Sequence, residues 1–310
     1  MARHWVPPHA LVGYDVGMQR QLLLLAVLVG CGSVDNGTPD GGSQPSDGQT
    51  SIDGPAPSDG PTPIPNPNDV LGGTLRNGCV VALHMEELSW SGATGEVKDD
   101  CGNDNPGTVI TDTVVATSTT TVAGGAHGRA GSFTGGACVD IPNAAALHGT
   151  TGLTLSAWIF PTVLDAGDTH ANGVISKRND NGNGSEYNLS VWLNNDVWVD
   201  LDTENDRFRG SREIKPKEWA QLTMVYDGTR AEADRVHVYV NNVLDAVQGE
   251  TSTSLTPYTS ALHIGCMPAP SAIPTPTQQH FEGLIDEVVV WNRALSDAEL
   301  AQWYVNTKPP

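Results

Sequence analysis

Between residues 74 and 307 apolar and polar positions alternate in short runs, separated by Asn-Gly, Asp-Gly, Asn-Asn and Asn-Asp-Asn-Gly turn signals. The runs are "CVVALHM", "GSFTGGACVDIP", "LTLSAWIFP", "GVISKR", "YNLSVWL", "VWVDLD", "WAQLTMVYDG", "RVHVYVNN", "SALHIGC" and "FEGLIDEVVVWN". Strands at this spacing predict an all-β fold, an antiparallel sandwich or jelly roll. Helical signals are confined to the C-terminus. There Ser296, with Glu299 three residues on, predicts a capping box that opens one short helix.

Two places in this pattern carry chemistry. In the last strand, alternation puts Leu284, Asp286, Val288 and Val290 on one face and Ile285, Glu287, Val289 and Trp291 on the other. Each face then holds one carboxylate among hydrophobes, and an unpaired buried carboxylate is costly. The second place is a hairpin, "YNLSVWLNNDVWVDLD". A loop at Asn194-Asn195-Asp196 pairs Leu193 with Val197, Trp192 with Trp198, Ser190 with Asp200 and Asn188 with Asp202. Leu189, Val191, Leu193, Val197, Val199 and Leu201 form its core face. The other face carries Trp192 and Trp198 among Asn188, Ser190 and Asp200, and neighbouring strands are expected to add Gln221, Thr223, His237 and Tyr239. Paired Trp residues on a polar face mark either a ligand site or a patch covered by a loop. Sugars suit such a face, because their C–H surfaces stack on aromatic rings while Asn and Asp take the hydroxyls. The candidate ligand-binding residues are Trp192, Trp198, Asn188, Asp200, His237 and Tyr239. His127, His148 and His170 read as loop histidines without ligand spacing.

Upstream of residue 74 the alternation disappears. Residues 18–30, with Arg20 ahead of the apolar run Leu22–Val29, read as a signal peptide, too short to span a bilayer. Leu28-Val29-Gly30-Cys31 resembles a bacterial lipobox, which implies cleavage before Cys31 and its lipidation. Residues 1–17 fit no signal design, so Met18 is the expected start. Residues 31–73 follow as a tether rich in Pro, Gly, Asp and Ser, unable to bury enough surface to fold. Together they predict a protein of the cell envelope, lipid-anchored in the membrane; Gly32 rather than Asp after the Cys resembles outer-membrane sorting.

The chain has 36 acidic against 16 basic residues, a net charge of -20. That argues against nucleic-acid binding, which needs a basic surface. Setting Cys31 aside leaves Cys79, Cys101, Cys138 and Cys266, an even number that suggests two disulfides in an exported domain. Of three possible connectivities, Cys79–Cys101 with Cys138–Cys266 is favoured: the first closes a short loop and the second staples two strands.

"FEGLIDEVVVWNRALSDAEL" resembles the closing signature of the laminin-G-like jelly-roll family, within the concanavalin A-like lectin/glucanase superfamily. "VVALHMEE", "GSFTGGACVDIP", "TGLTLSAWIFP", "KEWAQLTMVYDG" and "VHVYVNNVLDA" resemble its earlier strands in order, covering residues 78–305. The resemblance implies that glycans lie on the concave sheet. It also implies one structural calcium ion, for which Asp286 matches the last-strand ligand and Glu86, with Glu87, the opening-strand region. Without metal, Asp286 would accept loop amides or pair with Arg293. The superfamily's retaining glucanases carry Glu-x-Asp-x-(x)-Glu, which Asp200, Asp202 and Glu204 approximate with a shorter first acid. The expected function is a lipid-anchored surface module that binds carbohydrate or a protein partner. A glycoside hydrolase acting through Asp200 and Glu204 and a structural envelope protein are the alternatives.

Overall fold

A computed structural model describes residues 69–111, 121–134, 136–164, 171–178, 184–192, 194–202, 207–268 and 278–310. The signal segment, Cys31, the tether to residue 68, His170 and Glu204 lie outside these residues. The chain forms β1 (Cys79–Leu83), β2 (Thr108–Thr111), β3 (Thr121–Ala123), β4 (Arg129–Phe133), β5 (Ala137–Ile141) and β6 (Gly152–Pro161). Next come β7 (Asn172–Arg178), β8 (Ser185–Trp192), β9 (Asp196–Leu201), β10 (Arg207–Arg209), β11 (Ala220–Asp227) and β12 (Val236–Val240). β13 (Val243–Gln248), β14 (Leu262–Ile264), β15 (Cys266–Pro268), β16 (Gln278–His280) and β17 (Gly283–Trp291) lead into the helix α1 (Asp297–Thr307).

The first sheet runs β13-β12-β11-β6-β17-β4-β3, with β1 also paired to β17, and the second runs β10-β9-β8-β7-β14-β5-β2. Every pairing in both is antiparallel, as the turn-rich sequence requires. The run "GSFTGGACVDIP" is not one strand. It breaks after Phe133, with Gly136 at φ 82, and supplies β4 to one sheet and β5 to the other. The Asn241-Asn242 turn between β12 and β13 has both residues left-handed (φ 52 and 59), the geometry that matches hairpin twist.

Leu155, Ile159, Leu189, Val199, Leu222 and Val290 are among the residues that fill the space between the sheets. A second apolar layer lies on the outer side of the first sheet, where Trp291, Val289 and Ala82 meet Leu300 and Trp303 of α1. Trp291 and Trp303 pack edge to face at 5.5 Å. The central strand β6 is therefore buried almost end to end. Leu71 and Val70 are buried in this layer too, so the folded domain reaches back past residue 74. Ser296 and Glu299 form the expected capping box, and Arg293 grips Glu299 with two bonds of 3.0 and 2.8 Å. Both favoured disulfides are present, Cys79–Cys101 and Cys138–Cys266, each with Cα atoms 5.5 Å apart.

The register of β17 resolves the carboxylate conflict. Asp286 pairs with Trp158 and Val289 with Ser156, so Glu287 and Val288 together oppose one residue, a β-bulge. Glu287 takes the left-handed conformation, φ 50. The extra residue inverts the alternation: Ile285, Val288 and Val290 enter the inter-sheet core, and Val289 and Trp291 join the helix layer. Asp286 and Glu287 leave the core together, rather than one on each face as strict alternation predicts.

Candidate functional site

The β8–β9 hairpin is present, with its register two residues from the expected one. Asn188 pairs with Asp200, Ser190 with Trp198 and Trp192 with Asp196. Asn194 and Asn195 both have positive φ, 61 and 59, and so take the turn, leaving Asp196 in the strand. A shift of two keeps every side chain on its face. Leu189, Val191, Val197, Val199 and Leu201 are buried in the core as expected. Trp192 and Trp198 share the outer face, partly exposed, with ring centroids 4.9 Å apart.

The surroundings of the pair differ from expectation. Arg209 on β10 lies opposite Trp198, its guanidinium carbon 5.7 Å from the ring centroid. Its Nε donates to Asp196 at 2.7 Å, and its Nη2 to the same oxygen. Under the rings, Asn188 Nδ2 donates to Ser190 Oγ at 3.3 Å, which donates to the Trp198 carbonyl at 3.4 Å. Asn188 Oδ1 and Trp198 Nε1 are buried atoms with no hydrogen-bond partner among the described residues. Orphaned buried polar atoms are rare in folded proteins. Here they leave one acceptor and one donor beside an aromatic pair. Sequence reasoning missed Arg209 because "RFR" is too short a run to read as a strand, although its period-two pattern is the signal.

His237 and Tyr239 do not belong to this face. They lie on β12 of the first sheet, with Gln221 and Thr223 on the adjacent β11. Tyr239 Oη donates to Asp297 Oδ1 at 3.2 Å at the start of α1, and His237 Nε2 is 2.8 Å from Asp234. Burial and then the charge of Asp297 push the Tyr239 phenol up to about 12. Alternation places a residue on a face, but only the folded topology says which sheet the face belongs to.

The carboxylates expected to share one strand face are separated. Asp200 stands 3.6 Å from Arg178 Nη1. β9 ends at Leu201, and Asp202, at φ 56, turns to accept the Ser252 hydroxyl (2.5 Å) and the Thr256 amide (2.6 Å). Burial raises the Asp202 pKa, but those bonds outweigh it and hold the group below its usual range.

Around the bulge, burial and then the charge of Glu287 push Asp286 up to about 8, against amide bonds from His127 (3.0 Å) and Glu287 (2.8 Å). Glu287 Oε2 lies 2.7 Å from His84 Nδ1, and its Oε1 lies 3.6 Å from His127 Nδ1. Burial disfavours the His84 imidazolium, but Glu287 and Asp100 outweigh it and push it up to about 9. Glu86 Oε1 accepts the Arg129 amide at 2.8 Å. A Cβ on Gly128, itself at φ 76, would stand 2.2 Å from that oxygen, so only glycine lets the loop approach Glu86. Val70, His84, Glu86, His127, Gly128 and Glu287 line a cavity of about 280 Å³. Glu86, Asp286 and Glu287 supply the hard oxygens calcium prefers. As arranged, no group of three or more His, Cys, Asp or Glu side chains among the described residues is set to hold a metal ion. His127 and His148, read as loop histidines without ligand spacing, each face a buried carboxylate; His148 Nδ1 is 2.9 Å from Glu186.

Two stacked antiparallel sheets, closed by a capped helix and carrying a partly exposed Trp pair on one outer face, define a lectin-type β-sandwich. The sequence pattern of the laminin-G-like family, described as the concanavalin A-like lectin/glucanases superfamily, matches residues 133–301. The chain belongs to that family. No curated protein matches the sequence. Among solved structures, domain 4 of AbnA, a GH43 extracellular arabinanase from Geobacillus stearothermophilus, was determined with arabinotriose. It is 20% identical, covers 73% of this chain and 98% of its own, and gives a TM-score of 0.52. The receptor binding domain of the botulinum neurotoxin C/D mosaic serotype is 11% identical over 74% of this chain and 51% of its own, TM-score 0.50. At these identities the likeness is one of fold.

Proposed function

We propose that the chain is a non-catalytic recognition module that binds carbohydrate on the outer face of the second sheet, at Trp192 and Trp198. The observation that carries this reading is the pair itself: two partly exposed indoles 4.9 Å apart, beside Trp198 Nε1 and Asn188 Oδ1, which have no partner among the described residues. The arabinotriose-bound domain with the same fold supports it by analogy. The separation of Asp200 from Asp202 weighs against hydrolysis among the described residues. A glycan array with wild type and Trp192→Ala is the test: Trp-dependent binding is expected, and no Trp-dependent signal on any glycan sinks the reading.

The anchor completes the proposal. Cys31 carries the lipid, the tether projects the domain from the cell envelope, and the outer membrane is the site. Labelling with a radioactive fatty acid should be lost in Cys31→Ala. A structural calcium ion held by Asp286 and Glu86 belongs to the same reading, supported by the carboxylates that crowd there and by the burial and then the repulsion that raise Asp286. A ligand of the native state raises its melting temperature, so equal values in calcium and in chelator would remove the ion from the proposal.

A further inference from the structure

We infer that the saccharide taken at Trp192 and Trp198 is acidic, its carboxylate or sulfate met by Arg209, Arg212 and Lys215; this rests on the carbohydrate reading above. The chain's charge is unevenly spread. Residues 207–217, "RFRGSREIKPK", hold Arg207, Arg209, Arg212, Lys215 and Lys217 against the single acid Glu213, a local charge of +4 in a chain of -20. The fold sets this segment along the Trp hairpin. Arg209 pairs with Trp198, Gly210 N donates to Val197 O at 2.8 Å, and Ile214 N donates to Asn195 O at 2.8 Å. Ile214 is buried in the core and anchors the loop between them.

Nearby carboxylates offset only part of this charge. Asp245 accepts the amides of Ser211 and Arg212 at 2.9 and 3.2 Å and the Ser211 hydroxyl at 3.0 Å, and so shapes the loop. Asp196 is taken by Arg209 Nε and Nη2, which leaves Nη1 without a bond among the described residues. Arg212 and Lys215 are exposed, and neither forms an ion pair there. A guanidinium can grip a carboxylate or sulfate through its N–H groups, and Arg209, its guanidinium carbon 5.7 Å from the Trp198 ring centroid, keeps one amino group for such a contact. The strongly acidic remainder of the chain repels extended polyanions, which favours a short acidic sugar segment over a nucleic acid or an anionic membrane.

The test titrates the full chain with matched pairs: oligogalacturonate and its methyl ester, and sialyllactose and lactose. The acidic member of at least one pair should bind about ten-fold tighter, an advantage that falls as added salt shortens the screening length. Arg212→Gln/Lys215→Gln, both surface positions, should erase the advantage while leaving the fold intact by circular dichroism. Equal affinity within both pairs, still dependent on Trp192, overturns the acidic inference and leaves the carbohydrate reading standing. Binding to none of the four overturns the acidic inference, and the glycan array then decides the carbohydrate reading separately. Tighter binding to phosphatidylglycerol vesicles or to single-stranded DNA than to either acidic sugar also overturns it.

Discussion

The two sheets turn very different outer faces to their surroundings. On the first, α1 covers the strands, and each indole in the layer has a partner: Trp303 Nε1 donates to Ser156 Oγ (3.0 Å), Trp158 Nε1 to Thr307 Oγ1 (2.8 Å) and Trp291 Nε1 to Leu75 O (2.7 Å). On the second, Trp192 and Trp198 stay partly exposed, and Trp198 Nε1 and Asn188 Oδ1 are buried without partners among the described residues. Tryptophan is common to both faces, so an aromatic residue alone does not mark a site. What separates them is whether the polar end of the ring and its neighbours are satisfied within the chain. On the proposed reading, the first face is scaffold and the second is where a partner has something to add.

That contrast can be broken by experiment. Trp303→Ala should have the largest effect, costing about 3–5 kcal/mol in urea unfolding because it opens a cavity under the helix, with saccharide affinity of the remaining folded protein unchanged. A loss below about 1 kcal/mol would mean the helix layer is not scaffold.

The buried charges come next. The His84 pKa is 6.5 in the unfolded chain and about 9 when folded. Its contribution to stability is therefore complete below pH 6.5 and lost as pH rises through 9. Asp286, with a folded pKa near 8 against 3.8 unfolded, acts in the same direction, since it too holds its proton more tightly when folded. In chelator, the melting temperature of wild type should fall more between pH 6 and pH 10 than that of His84→Gln; parallel curves would refute the pairing with Glu287.

Ser296→Ala removes a helix cap and should cost about 1 kcal/mol, again without touching binding. The smallest effect on stability belongs to Trp192→Ala, within about 1 kcal/mol for a partly exposed ring, yet it should abolish saccharide binding. A stability loss as large as that of Trp303→Ala would make the pair structural and erase the distinction between the faces.

Much of this was legible in the residues. Alternation identified the hairpin faces, Ser296 and Glu299 marked the start of the helix, and the even count of cysteines in an exported domain suggested the two disulfides now seen. Less was legible where one residue changes a register. The bulge at Glu287 has no sequence signature, because alternation is blind to an insertion that the partner strand alone reveals. The hairpin loop was displaced because either Asn194-Asn195 or Asn195-Asp196 can supply left-handed residues. Arg209 went unseen because three residues are too few to show a period.

By itself the sequence determined the strands, the helix cap, the core-facing residues and the family, because each follows from local side-chain periodicity and chain-neighbour chemistry. Tertiary structure decided the rest: that His237 and Tyr239 lie on the first sheet and not beside the Trp pair, that Asp286 and Glu287 leave the core on the same side, and that a basic loop runs along the hairpin. Those are relations between segments far apart in the chain, set by which strands pair and which faces are covered. No local pattern encodes them, since the same alternation is compatible with either sheet.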